Sequence, residues 1–302
     1  MTNGPMHADE VPTSADLARR LIWAQFPQWA DLPITPVQSS GTDNAIYRLG
    51  DRMAVRLPRR PGAVAQVEKE HARLPWLAPA LPLSIPLPFA RGQPGEDYPW
   101  PWSVLSWLDG EEATTRQLTH STAAAVALAE FIRALQSLES SGGPAPGAHN
   151  SHRGGPLAQR DARVRQAIAE CGGLIDTDAA TAVWERALAA PPSSSAPVWL
   201  HGDLLPSNLL TKGGRLHPVI DFGMLGVGDS ACDLLPAWAI FAPAARAAFR
   251  TVLELDDAAW ERGRGWAMSW AAIALPYYLT TNPRIVEMAT HTLRALLADA
   301  SR

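Results

Sequence analysis

The amino-acid sequence predicts an α+β protein of two lobes, a five-stranded antiparallel sheet with one accompanying helix and then a mainly helical remainder. Three observations carry this. Short segments of period-two alternation crowd the first third, where "NAIYRLG" and "RMAVRLP" flank a turn at Gly50-Asp51. The pattern changes after Gly110, where "STAAAVALAEFIRALQSL" reads as a long apolar helix. From about residue 229 onward the chain is helical in pattern and rich in Trp. The change near Ser106–Gly110 divides the chain into lobes of residues 1–106 and 107–302.

The elements follow in order. "SADLARRLIWAQF" offers Ser14 as an N-cap, Leu17, Leu21 and Ile22 at helical spacing, and Pro27 as a stop. "ITPVQSS", "NAIYRLG" and "RMAVRLP" read as strands, with Tyr47 and Leu49, then Met53, Val55 and Leu57, on alternate positions. "GAVAQVEKEHARLPWLA" is helical by Val64, Val67, Leu74 and Leu77, with Pro75 expected to end or kink it. "SIPLPFARG" and "PWSVLSWLDG" are two more strands, and the prolines push the first towards a sheet edge. After the apolar helix comes "ESSGGPAPGAHNSHRGGP", residues 139–156, long enough for a loop that is either mobile or functional. Two amphipathic helices are expected around 159–171 and 178–190, then short strands around "HGDLLPSNLL" and "VIDFG". No internal repeat of fixed period is present.

Composition narrows the function classes. The chain is 47% hydrophobic and 19% charged, the balance of a globular protein rather than a disordered one. A net charge of −4 argues against nucleic acid or an anionic membrane as partner. It fits a cationic small substrate, and equally plain solubility. Lys69 and Lys212 are the only lysines, so almost all positive charge is Arg, as in the codon usage of a GC-rich bacterial genome. Cys171 and Cys232 make neither a disulfide framework nor a zinc site. "MTNGPMHADEVPTSADLARR" lacks a basic start followed by an apolar core, and no apolar run is long enough for a membrane span. A cytoplasmic protein with no obligate protein partner is expected.

The polar residues of the second lobe carry the chemistry. His201-Gly202-Asp203 is followed by Asn208, and Asp221 opens an Asp-Phe-Gly triplet thirteen residues later. Any one of these residues alone reads as a cap or turn; the spaced set points to a site. His-x-Asp with Asn five residues on and a downstream Asp-Phe-Gly is the pattern of protein kinases and their relatives. With Gly between His and Asp, "HGDLLPSN" resembles the aminoglycoside phosphotransferase family.

The resemblance implies a bilobal protein-kinase-like fold and an enzyme moving the γ-phosphoryl group of ATP, or of GTP in its place, to a hydroxyl of a small molecule. Asp203 would accept or orient the hydroxyl proton, and Asn208 and Asp221 would hold Mg²⁺, a hard ion that takes oxygen ligands. His201 and Asp233, the latter in "GDSACDLLPAW", would support the loop. "SSGTDN" lies where the family's nucleotide loop sits, so Ser40, Gly41, Thr42 and Asn44 would cover the phosphates, although no GxGxxG is present. Arg56 stands on the strand that usually carries a phosphate-binding Lys, and Glu70 would be its partner, with Glu68 the alternative. The backbone of Ser106, Trp107 and Leu108 would meet the adenine edge. Asp229 would cap a helix or face a cationic substrate. Glu170, Asp176, Trp266, Trp270, Tyr277 and Tyr278 are candidates for the acceptor pocket. The acceptor could be an aminoglycoside, a macrolide, another antibiotic, or a metabolic alcohol or sugar, since fold does not fix the substrate. Two other classes stay open, a nucleotide-binding pseudoenzyme, favoured only by Arg56, and a protein kinase, for which no "APE"-like segment follows the "DFG".

Overall fold

The computed structural model describes residues 10–37, Gly41 and 43–300. They form two compact units. One holds the residues up to Gly110 together with Pro218–Gly223; the other holds Glu111–His217 and the chain from Met224 onward. The short segment Pro218–Gly223 thus belongs with the first unit, although a linear division at residue 106 places it in the second lobe.

The first unit opens with α1 (Ala15–Gln25), whose first turn is closed by Ser14 Oγ accepting from the Leu17 N–H at 3.1 Å. The strands are β1 (Ile34–Pro36), β2 (Asn44–Leu49), β3 (Met53–Pro58), β4 (Pro88–Gly92) and β5 (Trp102–Ser106), with α2 (Pro61–Leu77) between β3 and β4. They make one sheet in the order β1-β2-β3-β5-β4, with antiparallel neighbours throughout. The proline-bearing β4 is indeed an edge. Pro75, by contrast, does not end α2, which runs on to Leu77 and into a 3₁₀ turn at Ala78–Ala80. So close to the helix end, its missing N–H costs a single bond of the ladder.

Strand alternation sorts the side chains of this sheet. Tyr47, Leu49, Val55, Leu57, Trp102 and Val104 pack with α1 in one apolar core. The intervening positions therefore turn Asn44, Arg56 and Ser103 to the other face, and α2 supplies their partners there.

The second unit starts with β6 (Glu111–Glu112), α3 (Thr115–Leu118) and α4 (Thr122–Gln136), and continues through α5 (Asp161–Glu170) and α6 (Thr177–Ala189). Four short strands follow: β7 (Val198–Leu200), β8 (Leu209–Lys212), β9 (Arg215–Val219) and β10 (Gly226–Gly228). β7 pairs with β10, while β6, β8 and β9 form a small sheet. The helices α7 (Pro236–Ala239), α8 (Pro243–Leu253), α9 (Asp257–Tyr278) and α10 (Pro283–Ala300) complete it. α4 packs on α8, and α9 lies against α5, α6 and α10. The long loop 139–156 is fastened down: buried Asn150 bonds back to the Gly147 N–H and the Arg153 carbonyl, and the Gly154 carbonyl accepts from the Asp229 N–H at 2.8 Å. No described helix is long and apolar enough to cross a membrane. Both cysteines are buried and unbridged.

Candidate active-site residues

In the first unit the strand Arg and the helix Glu meet. Arg56 Nη1 donates to both Glu70 carboxylate oxygens at 2.6 Å, and both side chains are almost fully buried. Arg56 Nη2 reaches Gln66 Oε1 at 3.1 Å and Asp221 Oδ1 at 3.0 Å. Asn44, at the start of β2, joins from the same face: with its amide turned to suit, its oxygen accepts from Arg56 Nη2 at 2.8 Å. Burial opposes the guanidinium charge, but Glu70 and then Asp221 outweigh it and hold Arg56 above its usual value. Glu68, the alternative partner, instead pairs with Arg91, on a different side of α2.

Asp221 is built unusually. It is a non-glycine residue with φ of 63°, in the left-handed region. Its Oδ1 takes both Arg56 and the Gly223 N–H, the latter at 3.3 Å, and its side chain is 40% exposed. The Gly223 carbonyl in turn accepts from Lys69 Nζ at 2.7 Å. Burial presses the Lys69 ammonium down to a pKa of about 8.

Of the loop residues expected over the phosphates, Gly41 is exposed, while Ser40 and Thr42 lie outside the described residues. The segment expected to meet the adenine edge is partly engaged. The Ser106 N–H donates to the Leu87 carbonyl and the Trp107 N–H to the Arg52 carbonyl. Of Ser106, Trp107 and Leu108, Leu108 therefore has the one N–H that no described residue takes. The Trp107 ring stacks under the Arg48 guanidinium, 4.8 Å from its centroid, and its Nε1 bonds Asp109.

In the second unit the loop of His201–Asn208 is held from beneath by Asp233. Its two carboxylate oxygens accept from the His201 and Gly202 N–H groups, each at 2.7 Å. Burial pushes this carboxyl up to about 6, against the lowering effect of those two donors. Gly202 takes φ of 80°, and a Cβ there would stand 2.8 Å from the Met224 carbonyl, so the position between His and Asp admits only glycine. Buried His201 turns its Nδ1 to the Asp203 N–H at 3.2 Å. Asn208 Nδ2 donates to the Asp203 carbonyl at 2.8 Å and to Asp203 Oδ2 at 3.1 Å. The same contacts orient the Asn208 amide and leave its Oδ1 for a cation.

Three residues near these groups escape the sequence reading. Gln66 and Lys69 share a helix face with Glu70, and their i, i+3, i+4 spacing is the signal that points to them. Arg153, from the long loop, brings Nη2 to 3.5 Å from Asp203 Oδ1, with its side chain only 12% exposed. No periodicity marks it. Asp229 caps the turn at Ser230–Leu234 and pairs with Arg262 at 2.6 Å. Of the acceptor candidates, Asp176 caps α6 and Glu170 bonds Gln166 and Arg163. Trp266 is core, with Arg160 over its ring, and Tyr277 and Tyr278 stack edge-on at 4.7 Å.

A metal must be tested against these donors. Among the described residues no three His, Cys, Asp or Glu gather as a cage. Mg²⁺ needs none, because it binds through one or two protein oxygens and completes its shell with phosphate and water. A part-exposed carboxylate with Oδ2 open, and an amide with its oxygen left over, fit it.

The sequence profile of the phosphotransferase enzyme family matches residues 34–266, well over half of the chain. The chain belongs to this phosphotransferase family. No curated protein matches it in sequence. Solved structures share the fold. A GDP complex of a variant of aminoglycoside 2′-phosphotransferase-IIIa matches with a TM-score of 0.75 at 18% identity, over 95% of this chain and 98% of that one. A streptomycin–ATP ternary complex of APH(2″)-IIa gives 0.60 at 19% identity, over 87% and 90%. The macrolide 2′-phosphotransferase MphH of Brachybacterium faecium gives 0.60 at 21% identity, over 93% and 98%. As a phosphotransferase, the chain is an enzyme that passes phosphate to a hydroxyl of a small molecule.

Proposed function

We propose that this phosphotransferase uses ATP, or GTP in its place, with Mg²⁺, and that Asp203 is the base that orients the acceptor hydroxyl. The observation that carries the reading is the double donation from Asn208 Nδ2 to the Asp203 carbonyl and Oδ2, which fixes base and metal-ligand candidate on one loop. Asp203 keeps its other oxygen, Oδ1, 3.5 Å from Arg153 Nη2, so the carboxylate is aimed before any substrate arrives. A hydroxyl within hydrogen-bond reach of it would be turned with its lone pair towards the γ-phosphoryl group and would pass its proton to the carboxylate as its oxygen bonds the γ-phosphorus and the bond from that phosphorus to the bridging oxygen breaks, leaving the nucleoside diphosphate. Arg56, anchored through Nη1 by Glu70, would take phosphate oxygens by turning its Nη2 from Gln66 and Asp221, the groups it bonds here. Asn208 and Asp221 would hold the Mg²⁺, which when bound neutralises charge on the phosphates.

Some structures of similar fold were solved with GDP or ATP and one as the apoenzyme, and their names or ligands point to aminoglycosides and macrolides, which makes those compounds the first acceptors to try alongside sugars and other alcohols. Purified protein with MgATP or MgGTP and such a panel, read by the mass gain of a phosphoryl group, tests the reading. Asp203→Asn is expected to bind nucleotide normally and to lose about 10²–10⁴ in turnover. Near-normal turnover would remove Asp203 from its role.

A further inference from the structure

One face of α2 is directed at the Asp221-Phe222-Gly223 segment. Gln66, Lys69 and Glu70 occupy it at i, i+3 and i+4. Glu70 acts through Arg56, whose Nη2 bonds Asp221 Oδ1. Gln66 packs directly on Gly223, where an added Cβ would stand 2.7 Å from its Cδ. Lys69 Nζ donates to the Gly223 carbonyl at 2.7 Å, while the Gly223 N–H donates to Asp221 Oδ1. Gly223 is therefore held at both ends, one by the carboxylate and the other by the ammonium. Asp221 needs such support. Its φ of 63° is a conformation that a non-glycine residue keeps only when its surroundings hold it there.

We propose that Lys69 is a positioning residue which, by holding the Gly223 carbonyl, keeps Asp221 in the backbone conformation that presents its carboxylate to a divalent cation. The inference rests on the reading of Asp221 as a metal ligand. Lys69 would act through Gly223, whose carbonyl it holds. A charged donor on a single carbonyl makes a strong bond, and a lysine's compact head suits one acceptor where an arginine's fork suits two. The chain has only one other lysine, the exposed Lys212 of β8, so a lysine here stands out against the prevailing use of Arg.

Calorimetric binding of a non-hydrolysable ATP analogue, with Mg²⁺ and with EDTA, tests this in the full-length protein. The wild type and Lys212→Met are expected to bind more tightly with Mg²⁺. Lys69→Met is expected to lose tenfold or more of that gain while keeping its metal-free affinity and Tm. Lys69→Gln, which keeps a neutral N–H donor, is expected to lose about threefold. A gain equal to the wild type's in whichever of the two variants folds overturns the proposal. So does an equal fall in metal-free affinity and Tm, which would make Lys69 merely structural. A wild type whose binding ignores Mg²⁺ overturns the metal-site reading itself, a failure visible before any variant is made.

Discussion

Asp233 is the residue on which the shape of the loop from His201 to Asn208 depends, and its charge carries a cost. Its carboxylate satisfies two N–H groups of the loop, yet burial raises its pKa from the ordinary carboxylate range to about 6. The unfolded chain releases this proton near pH 4 and the folded chain only near pH 6. Between these values the folded state holds the extra proton, so stability falls as pH rises through the window, by at most about 1.4 kcal/mol per pH unit, and levels off above it. Asp233→Asn cannot titrate there. Urea unfolding of both proteins from pH 4 to 8 should show the wild-type advantage shrinking up to pH 6 and constant beyond. A difference that stays flat across the whole range would mean that the carboxyl is not desolvated. Other residues of the site differ in how plainly the sequence shows them. Arg56 and Glu70 could be paired on paper, with Glu68 as the alternative, because "EHARLPWLA" resembles the family's helix segment with Glu six residues before Trp. Lys69 and Gln66 could not be matched to Gly223, since the Lys69 contact spans 154 positions and depends on which face α2 turns to a distant segment. Arg153 was hidden because an irregular loop has no period from which to read direction.

At the scale of elements, the helices of the second unit converge on a single carboxylate. Asp299, near the end of α10, takes Arg246 of α8 at 3.1 Å, Arg264 of α9 at 2.7 Å and the Trp238 Nε1 of α7 at 3.1 Å. Both arginines lie near the Trp238 ring as well. Removing the acceptor would leave two guanidinium groups, each about a tenth exposed, without their common partner. Asp299→Ala should therefore destabilise the protein by about 3 kcal/mol, the low end for a broken buried pair because the carboxylate keeps some solvent. Denaturant unfolding measures it, and a loss under about 1 kcal/mol would assign this cluster to the weak class of surface pairs. The element boundaries show which local rules govern. The prolines of β4 placed it at an edge because a missing N–H is fatal to a central strand, whereas Pro75 in the last turn of α2 removed a bond that the helix end could spare. The long loop 139–156 read by its length as either mobile or functional, but Asn150 braces it from within and the Pro144 and Gly154 carbonyls tie it to its neighbours, through contacts that glycine content cannot reveal.

At the scale of the molecule, the sheet-and-helix division was legible because periodicity changes from two to 3.6 near Gly110. The ownership of Pro218–Gly223 was not, because a segment of six residues has too little pattern to show which unit it joins. That ownership predicts how the first unit behaves when cut. A chain ending at Gly110 lacks the carboxylate that Arg56 Nη2 meets and the carbonyl that Lys69 holds. It should unfold at lower denaturant concentration than the same residues followed by a flexible linker and residues 218–223, and equal midpoints would show that the segment adds nothing to the unit. The same ownership bears on how the protein is made. Arg56 and Asp221 are 165 positions apart, so as the chain leaves the ribosome its first unit emerges nearly whole before the segment that Arg56 Nη2 and Lys69 Nζ bond has been made. Slow translation between Gly110 and Pro218 would lengthen the time for which the first unit lacks that segment.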